Sequence, residues 1–330
     1  MPRVLQPFKY SEPRTIKEAV RLLSIEKAKV LAGGTDLLVT MKRKAIAPPH
    51  ILDIKGISEL NCIDYRLGEG IKIGALATLQ SIADSPAIRE KYNLLASVCG
   101  KVCTPQVRNM GTIGGNLCQD TRCAYYARIG LLAKEPCHRA GGDLCYAVRG
   151  AKICPAMAAP ETAPVLMCLG AEVCIFGING DRTIPVEDFF VSSGVVNLKA
   201  NEIVTAIKIP EPVPQTSGAY IRESFRQAAD FAIAGVAVVL SIGDGLWHNA
   251  RMGLLGVAPS PLRAYGAEEM LNGKIIDDGV IEEAAQAAAK AAHPLGDVFA
   301  TANYRRKLVK VLAKRAIRQV IDSTVKLEES

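Results

Sequence analysis

The chain has 330 residues, 49% of them hydrophobic, a formal charge of +7 and ten cysteines. That composition excludes a disordered chain, and the length points to two or three domains with ample apolar material for their cores. Aromatic residues are only 5% of the chain, too few for the mixed basic and aromatic patches of a nucleic-acid binder. The basic surplus at Lys307, Lys310, Lys314, Arg315 and Arg318 therefore reads as a solvated or partner-docking helix face.

Taken in order, the N-terminal residues Met1, Pro2, Arg3, Val4, Leu5 and Gln6 lack the apolar core of a signal peptide. The longest apolar runs, such as 232–242, are too short to cross a bilayer. The expectation is a cytoplasmic protein, not membrane-bound, with thiols reduced unless they ligate something. Residues 15–24 predict a helix, with Thr15 as N-cap and Glu18 three residues on. A strand over 28–31, a helix over 37–44 stopped by Pro48 and Pro49, and a strand over 50–54 then make a small parallel β–α–β layer.

Residues 62–76 alternate and carry glycines, the pattern of a hairpin. Helices are expected over 78–84 and 87–103, with Cys99 and Cys103 one turn apart on one face. Strands follow at 171–176 and 182–185 around Asn179 and Gly180, and at 202–209, ended by Pro210. The run Pro210-Glu211-Pro212-Val213-Pro214 reads as a stiff linker. Beyond it, 218–226, 232–242 and 248–257 predict a three-stranded antiparallel sheet, and 278–292 and 302–324 predict two closing helices.

Two glycine turns carry chemistry. Ala32-Gly33-Gly34-Thr35-Asp36 stands between a strand and a helix, where paired glycines let backbone N–H groups approach a diphosphate closely. Thr112-Ile113-Gly114-Gly115-Asn116 is a second turn of the same kind. Neither is a G-x-G-x-x-G fingerprint nor a P-loop, which argues against nicotinamide-Rossmann and nucleoside-triphosphatase functions. Two such turns suit a dinucleotide held between two small subdomains.

Four cysteines, Cys123, Cys137, Cys145 and Cys154, follow the second turn within 32 residues, at separations of 14, 8 and 9. A chain this long needs no disulfides, so gathered thiols point to a metal or cluster. The long spacings differ from the paired knuckles of structural zinc and suit an irregular loop around a cubane, with Gly141, Gly142 and Gly150 letting it bend back. Zinc and unligated thiols are the alternatives. Cys118 is a possible substitute ligand, His138 a neighbour of a ligand rather than a fifth one, and the other cysteines are core residues.

The stretches 32–37 and 108–116 resemble the two FAD-diphosphate motifs of the flavoprotein subunits of molybdenum hydroxylases, the xanthine dehydrogenase and carbon monoxide dehydrogenase family. The resemblance continues through 194–198, 202–204 and 220–232. It implies an α+β chain with a two-part FAD-binding domain: a small parallel βαβ layer at 1–57 and a mainly antiparallel sheet subdomain at 58–212. A C-terminal α+β domain at 213–330 would follow, built as a three-stranded antiparallel sheet with helices. It implies that Leu31, Ala32, Gly33, Gly34, Thr35 and Asp36, with Thr112, Gly114, Gly115 and Asn116, hold FAD. Glu161, just before an apolar strand at 164–166, takes the place of an Asp near the flavin, and Arg222 that of a basic residue after a Tyr.

Ordinary members of that family pass quickly from Gly-Gly-Asn to the next strand, whereas this chain inserts a loop over 119–158. It is similar in this to the β subunits of 4-hydroxybenzoyl-CoA reductases, whose inserted cysteines bind a [4Fe–4S] cluster; Cys123, Cys137, Cys145 and Cys154 match them. The implied function is electron transfer, with no catalytic residue in this chain. Ferredoxin would donate electrons through [4Fe–4S] and FAD to a small [2Fe–2S] partner subunit and a large molybdenum-cofactor partner subunit, in a dimer of heterotrimers. The loop also carries Arg122, Arg128, Lys134, Arg139, Arg149 and Lys152 against Glu135 and Asp143, a bias suited to an acidic carrier. The alternatives are a hydroxylase with outward electron flow and a zinc-stapled interaction subunit with an empty flavin site.

Overall fold

The structure is a computed structural model that describes residues 4–25, 27–127, 135–226, 229–243, 245–275 and 277–328. Arg128 and Lys134 lie outside the described residues. The fold is the expected mixture of a parallel layer, an antiparallel sheet and a C-terminal antiparallel sheet with helices.

The N-terminal layer has three parallel strands, with His50–Asp53 in the centre between Lys9–Ser11 and Ala28–Leu31. All four residues of the central strand are buried, as an apolar strand covered on both faces must be. The edge strand Lys9–Ser11 is mostly exposed and too short to show a period. Helix Ile16–Ile25 starts where its cap sequence places it: Thr15 Oγ1 accepts from the Glu18 N–H at 3.1 Å, and the Glu18 carboxylate accepts from the Arg14 N–H at 2.8 Å. Its Ala19, Val20 and Leu23 bury against Leu52 and Ile54.

The middle sheet is antiparallel, in the spatial order Ile63–Arg66, Gly70–Gly74, Glu202–Ile209, Glu172–Gly177, Gly180–Pro185. The helix expected over 87–103 is broken. Pro86–Lys91 and Asn93–Cys99 meet at Tyr92 (φ −133°), whose ring is buried and whose hydroxyl donates to the Pro210 carbonyl at 3.0 Å. Cys103 lies past the helix with φ +51°, so Cys99 and Cys103 do not share a helical face. The apolar run after Glu161 is helix Ala163–Cys168, not a strand; Pro164 stands in its first turn and all six residues are buried.

The C-terminal sheet has four strands rather than three: Thr216–Glu223, Ala234–Gly243, Leu246–Leu255 and the two-residue Leu262–Arg263. Along Ala234–Gly243, Val236, Val238 and Leu240 join the core under the closing helices Asp278–Ala291 and Ala302–Glu328. Ala237 and Val239 join the core of the middle sheet and helix Ala163–Cys168. One strand therefore serves two cores, which is why it reads as continuously apolar. Part of the basic run turns inward to a neighbouring helix: Lys310 and Lys314 both pair with Glu282, and Arg318 pairs with Asp278. Among the described residues no helix is long and apolar enough to cross a membrane.

Candidate functional site

The two glycine segments, almost 80 residues apart in sequence, touch. A methyl group placed on Gly33 would overlap the carbonyl of Met110, and one on Gly111 would stand 3.5 Å from Thr35 Oγ1. Gly34 takes φ +71°, which turns the chain from strand Ala28–Leu31 into helix Leu37–Lys42. The backbone N–H groups of Gly33, Gly34, Thr35 and Asp36 donate to no acceptor among the described residues. Four adjacent donors without protein partners make a turn that accepts an anion. The second segment is the start of a short helix, Ile113–Leu117, capped by Thr112 Oγ1, which accepts from the Gly115 N–H at 3.1 Å. Gly114 is packed so closely that an added methyl would sit 2.9 Å from the Ala75 backbone oxygen.

Both segments border a pocket of about 1010 Å³, at the upper end of the roughly 300–1,000 Å³ usual for small-molecule sites. Of the residues anticipated from sequence, Thr35, Asp36, Thr112, Gly115, Asn116 and Glu161 line it. Gly33, Gly34 and Gly114 shape the turns behind that lining, Ala32 precedes them in the chain, and the Leu31 side chain is buried in the N-terminal core. Asn116 faces away from a ligand in part: its Oδ1 accepts from the Thr162 hydroxyl at 2.7 Å, tying the second segment to helix Ala163–Cys168. Lys42, Arg43 and Lys44 add positive charge to the pocket wall.

Glu161 and Arg222 form one unit. The Arg222 guanidinium donates to the Glu161 carboxylate at 2.7 Å and the Tyr220 hydroxyl donates to it at 3.3 Å. Both charged side chains are about nine-tenths buried. Burial pushes the Glu161 carboxyl above the usual range, opposed by the attraction and hydrogen bond of Arg222 and by Tyr220. Burial likewise pushes the Tyr220 hydroxyl well up. Arg222 does not line the pocket itself; it holds Glu161 at the pocket wall from behind.

Sequence reading did not find Arg122, Gln119, Asp230 or Phe231, all of which line the pocket. Arg122 pairs with the Asp36 carboxylate, which also accepts from the Asp120 N–H at 2.9 Å. The arginine stands 86 positions from its partner, and no local pattern announces such a contact.

The four loop cysteines come together. Cys123, Cys137, Cys145 and Cys154 line one small cavity of about 20 Å³, with Tyr125, Tyr126 and Tyr146 around them and no carboxylate in the lining. Among the described residues no three His, Cys, Asp or Glu side chains are grouped as ligands of a single metal ion. Two of the sulfurs have hydrogen-bonding neighbours. The backbone N–H of Val148 donates to the Cys145 sulfur at 3.4 Å. The Ser193 hydroxyl lies 3.7 Å from the Cys154 sulfur. Gly141 and Gly150 bend the loop with φ +90° and +76°. Both nitrogens of His138 face carbonyls, Gly142 at 3.2 Å and Ala151 at 2.7 Å, so neither is directed to the sulfurs. Cys118 stands outside the cavity lining.

The loop is stapled to its surroundings. Asp120 accepts from Arg139 Nε at 2.7 Å and from the Tyr126 hydroxyl at 2.9 Å, and Arg139 Nη2 donates to the Gly194 carbonyl at 2.7 Å. Arg122 and Arg139 are thereby occupied inside the molecule, and among the described residues the expected carrier-docking cations that remain exposed are Arg149 and Lys152.

A family model described as the FAD binding domain in molybdopterin dehydrogenase matches residues 6–212, and one described as the CO dehydrogenase flavoprotein C-terminal domain matches residues 219–320. The chain belongs to the FAD-binding subunits of the molybdenum hydroxylase family. It is 30% identical to the nicotine 6-hydroxylase medium subunit of Paenarthrobacter nicotinovorans over 95% of this chain and 97% of that one. It is 31% identical to the carbon monoxide dehydrogenase medium chain of Hydrogenophaga pseudoflava, over 94% and 96% of the two. Among solved structures, carbon monoxide dehydrogenase from Hydrogenophaga pseudoflava lacking the Mo-pyranopterin moiety matches with a TM-score of 0.82 and 30% identity, covering 97% of this chain and 99% of that one. Quinoline 2-oxidoreductase from Pseudomonas putida 86 matches with a TM-score of 0.80 and 25% identity, over 97% and 99%. The chain is thus an FAD-binding oxidoreductase subunit, and the pocket between its glycine segments has the donors, size and cations that an FAD diphosphate requires.

Proposed function

We propose that this chain is the flavo-iron–sulfur electron-transfer subunit of a molybdenum reductase of the 4-hydroxybenzoyl-CoA reductase type, working in the cytoplasm. The observation that carries this reading is the convergence of Cys123, Cys137, Cys145 and Cys154 on one carboxylate-free cavity. A four-thiol donor set with an N–H···S hydrogen bond from Val148 to Cys145 suits a [4Fe–4S] cluster, and the long cysteine spacings differ from the paired knuckles of structural zinc. The domains proposed are 1–57 and 58–212, which share FAD, and 213–330. Residues 33–36 hold the FAD diphosphate through backbone donors, residues 112–116 border it from the other side of the pocket, Leu31 and Ala32 set the entry to the first turn, and Glu161, positioned by Arg222, faces the pocket. FAD and the cluster supply the exchange between one-electron and two-electron traffic, linking a ferredoxin donor to a small [2Fe–2S] subunit and a large molybdenum subunit in a dimer of heterotrimers.

The donor would dock where the loop reaches solvent. Arg149 and Lys152 are exposed beside the loop's exposed Leu144 and Ile153, close in sequence to Cys145 and Cys154. An apolar centre rimmed by cations suits an acidic carrier. Reduced ferredoxin mixed anaerobically with the assembled complex is expected to bleach the flavin. The double variant Arg149→Glu/Lys152→Glu is expected to slow this roughly tenfold at low salt and to flatten its salt dependence. An unchanged rate and salt slope would remove the docking face. No reduction by ferredoxin at all would favour outward electron flow, as in the hydroxylase for which one relative is named.

A further inference from the structure

The first glycine turn and the cysteine loop are joined by a chain of charged contacts. Asp36 closes the turn, and its carboxylate holds the start of the loop twice. It pairs with the Arg122 guanidinium and accepts from the Asp120 N–H at 2.9 Å. Arg122 is followed directly by Cys123. Thr121, 2% exposed, ties Cys123 to the far end of the loop. Its hydroxyl accepts from the Cys123 N–H at 3.4 Å and donates to the Met157 carbonyl at 3.1 Å.

The Asp120 carboxylate carries the hold further. It accepts from Arg139 Nε at 2.7 Å and from the Tyr126 hydroxyl at 2.9 Å. Arg139 stands two positions after Cys137 and lines the cysteine cavity together with Tyr126. Both ion pairs are largely enclosed, with side chains between 18% and 25% exposed. Pairs so enclosed are screened by salt much less than surface pairs. Arg122 also lines the FAD pocket, whereas Asp120 and Arg139 do not.

A diphosphate held at residues 33–36 places negative charge beside the Asp36 carboxylate. That is unfavourable unless a cation offsets it, and Arg122 is the cation the structure pairs with that carboxylate. FAD therefore binds the state with Arg122 at the turn better than a state with the loop withdrawn, which is the differential affinity that a conformational bias requires. We propose that Arg122 and Asp120 are positioning residues through which FAD binding fixes the cysteine loop. Arg122 responds to the diphosphate, and Asp120 passes the constraint through Arg139 to the segment of Cys137. The proposal rests on the placement of the FAD diphosphate at residues 33–36 and is independent of the group that the cysteines hold.

Hydrogen exchange of the assembled complex, with FAD bound and after its removal, measures this. FAD is expected to slow exchange in peptides covering 33–38 and, roughly threefold or more, in those covering 120–127 and 137–142, and to leave helix Asp278–Ala291 unchanged. Arg122→Met is expected to weaken FAD roughly tenfold and, at saturating FAD, to abolish the slowing throughout the loop. Arg122→Lys, which keeps the charge, is expected to recover most of both. Asp120→Ala, outside the FAD pocket, is expected to keep the FAD affinity within about threefold of wild type and to lose the slowing at 137–142 alone. Arg139→Gln is expected to separate the two segments in the same way. Slowing at 33–38 without slowing in the loop overturns the proposal, as does equal slowing of every peptide or loop slowing that survives Arg122→Met. No slowing at 33–38 in an FAD-loaded complex overturns the placement of the diphosphate, and the proposal with it.

Discussion

Gly33→Val is expected to yield a complex without FAD and with a thermal midpoint lower by roughly 5 °C or more. The cause is contact between the two glycine segments. Any Cβ at position 33 overlaps the Met110 carbonyl, a backbone atom that cannot rotate away, and lies 3.2 Å from Gly111 Cα. The segments must separate, and the separation moves the unpartnered N–H groups of residues 33–36 away from Gly115 and Asn116 across the pocket. Overpacking of this kind costs typically about 1–3 kcal/mol in stability, and an anion cradle displaced by even a side-chain width loses its ligand. Gly266→Ala is the control: an added methyl there meets nothing, and both flavin content and thermal midpoint are expected to stay close to wild type. Flavin absorbance after desalting and a thermal melt measure the two effects.

Arg222→Met is expected to destabilise the chain by about 3–5 kcal/mol at neutral pH, the cost of leaving a buried carboxylate without its cation. Glu161 and Arg222 are both deeply buried, and the guanidinium is the larger of the two influences that hold the Glu161 carboxyl down against the rise caused by burial. Without it the folded-state value climbs further above that of the unfolded chain. A carboxyl raised in the folded state binds its proton more tightly there. Its contribution is therefore favourable below the unfolded value and is lost as pH rises through the folded value. The variant should regain much of its stability in acid and lose it towards neutrality, whereas wild type changes less over the same range. Arg222→Lys should recover part of the loss. Thermal melts across pH distinguish this from simple loss of packing, which is independent of pH.

Local chemistry was the legible part of this chain. Thr15 and Glu18 announced the first helix, and the paired glycines announced two turns that the fold brings into contact. Four cysteines in an irregular, glycine-bearing stretch announced a gathering of thiols, although nothing in their spacing says that the Val148 backbone N–H donates to Cys145. The illegible part was tertiary. Tyr92 looks like any residue of a helix over 87–103, and breaks it because its buried hydroxyl reaches Pro210 in another element. Residues 163–168 are apolar throughout and carry no period, so only their place between two cores makes them a helix. Arg122, Arg139, Lys310 and Lys314 read as surface charge, and each is taken by a carboxylate far away in the sequence or on a neighbouring helix.

Iron, acid-labile sulfide and FAD content of the anaerobically purified complex test the central claim most directly, with wild type compared to Cys137→Ala/Cys145→Ala. Cys137 is buried and Cys145 accepts the Val148 N–H, so both sulfurs belong to the cavity rather than to solvent. The double variant is expected to lose about four iron and four sulfide per copy of this chain while keeping its FAD. Equal iron in the two proteins, or a difference of a single zinc, would contradict the account and leave only an FAD-binding subunit.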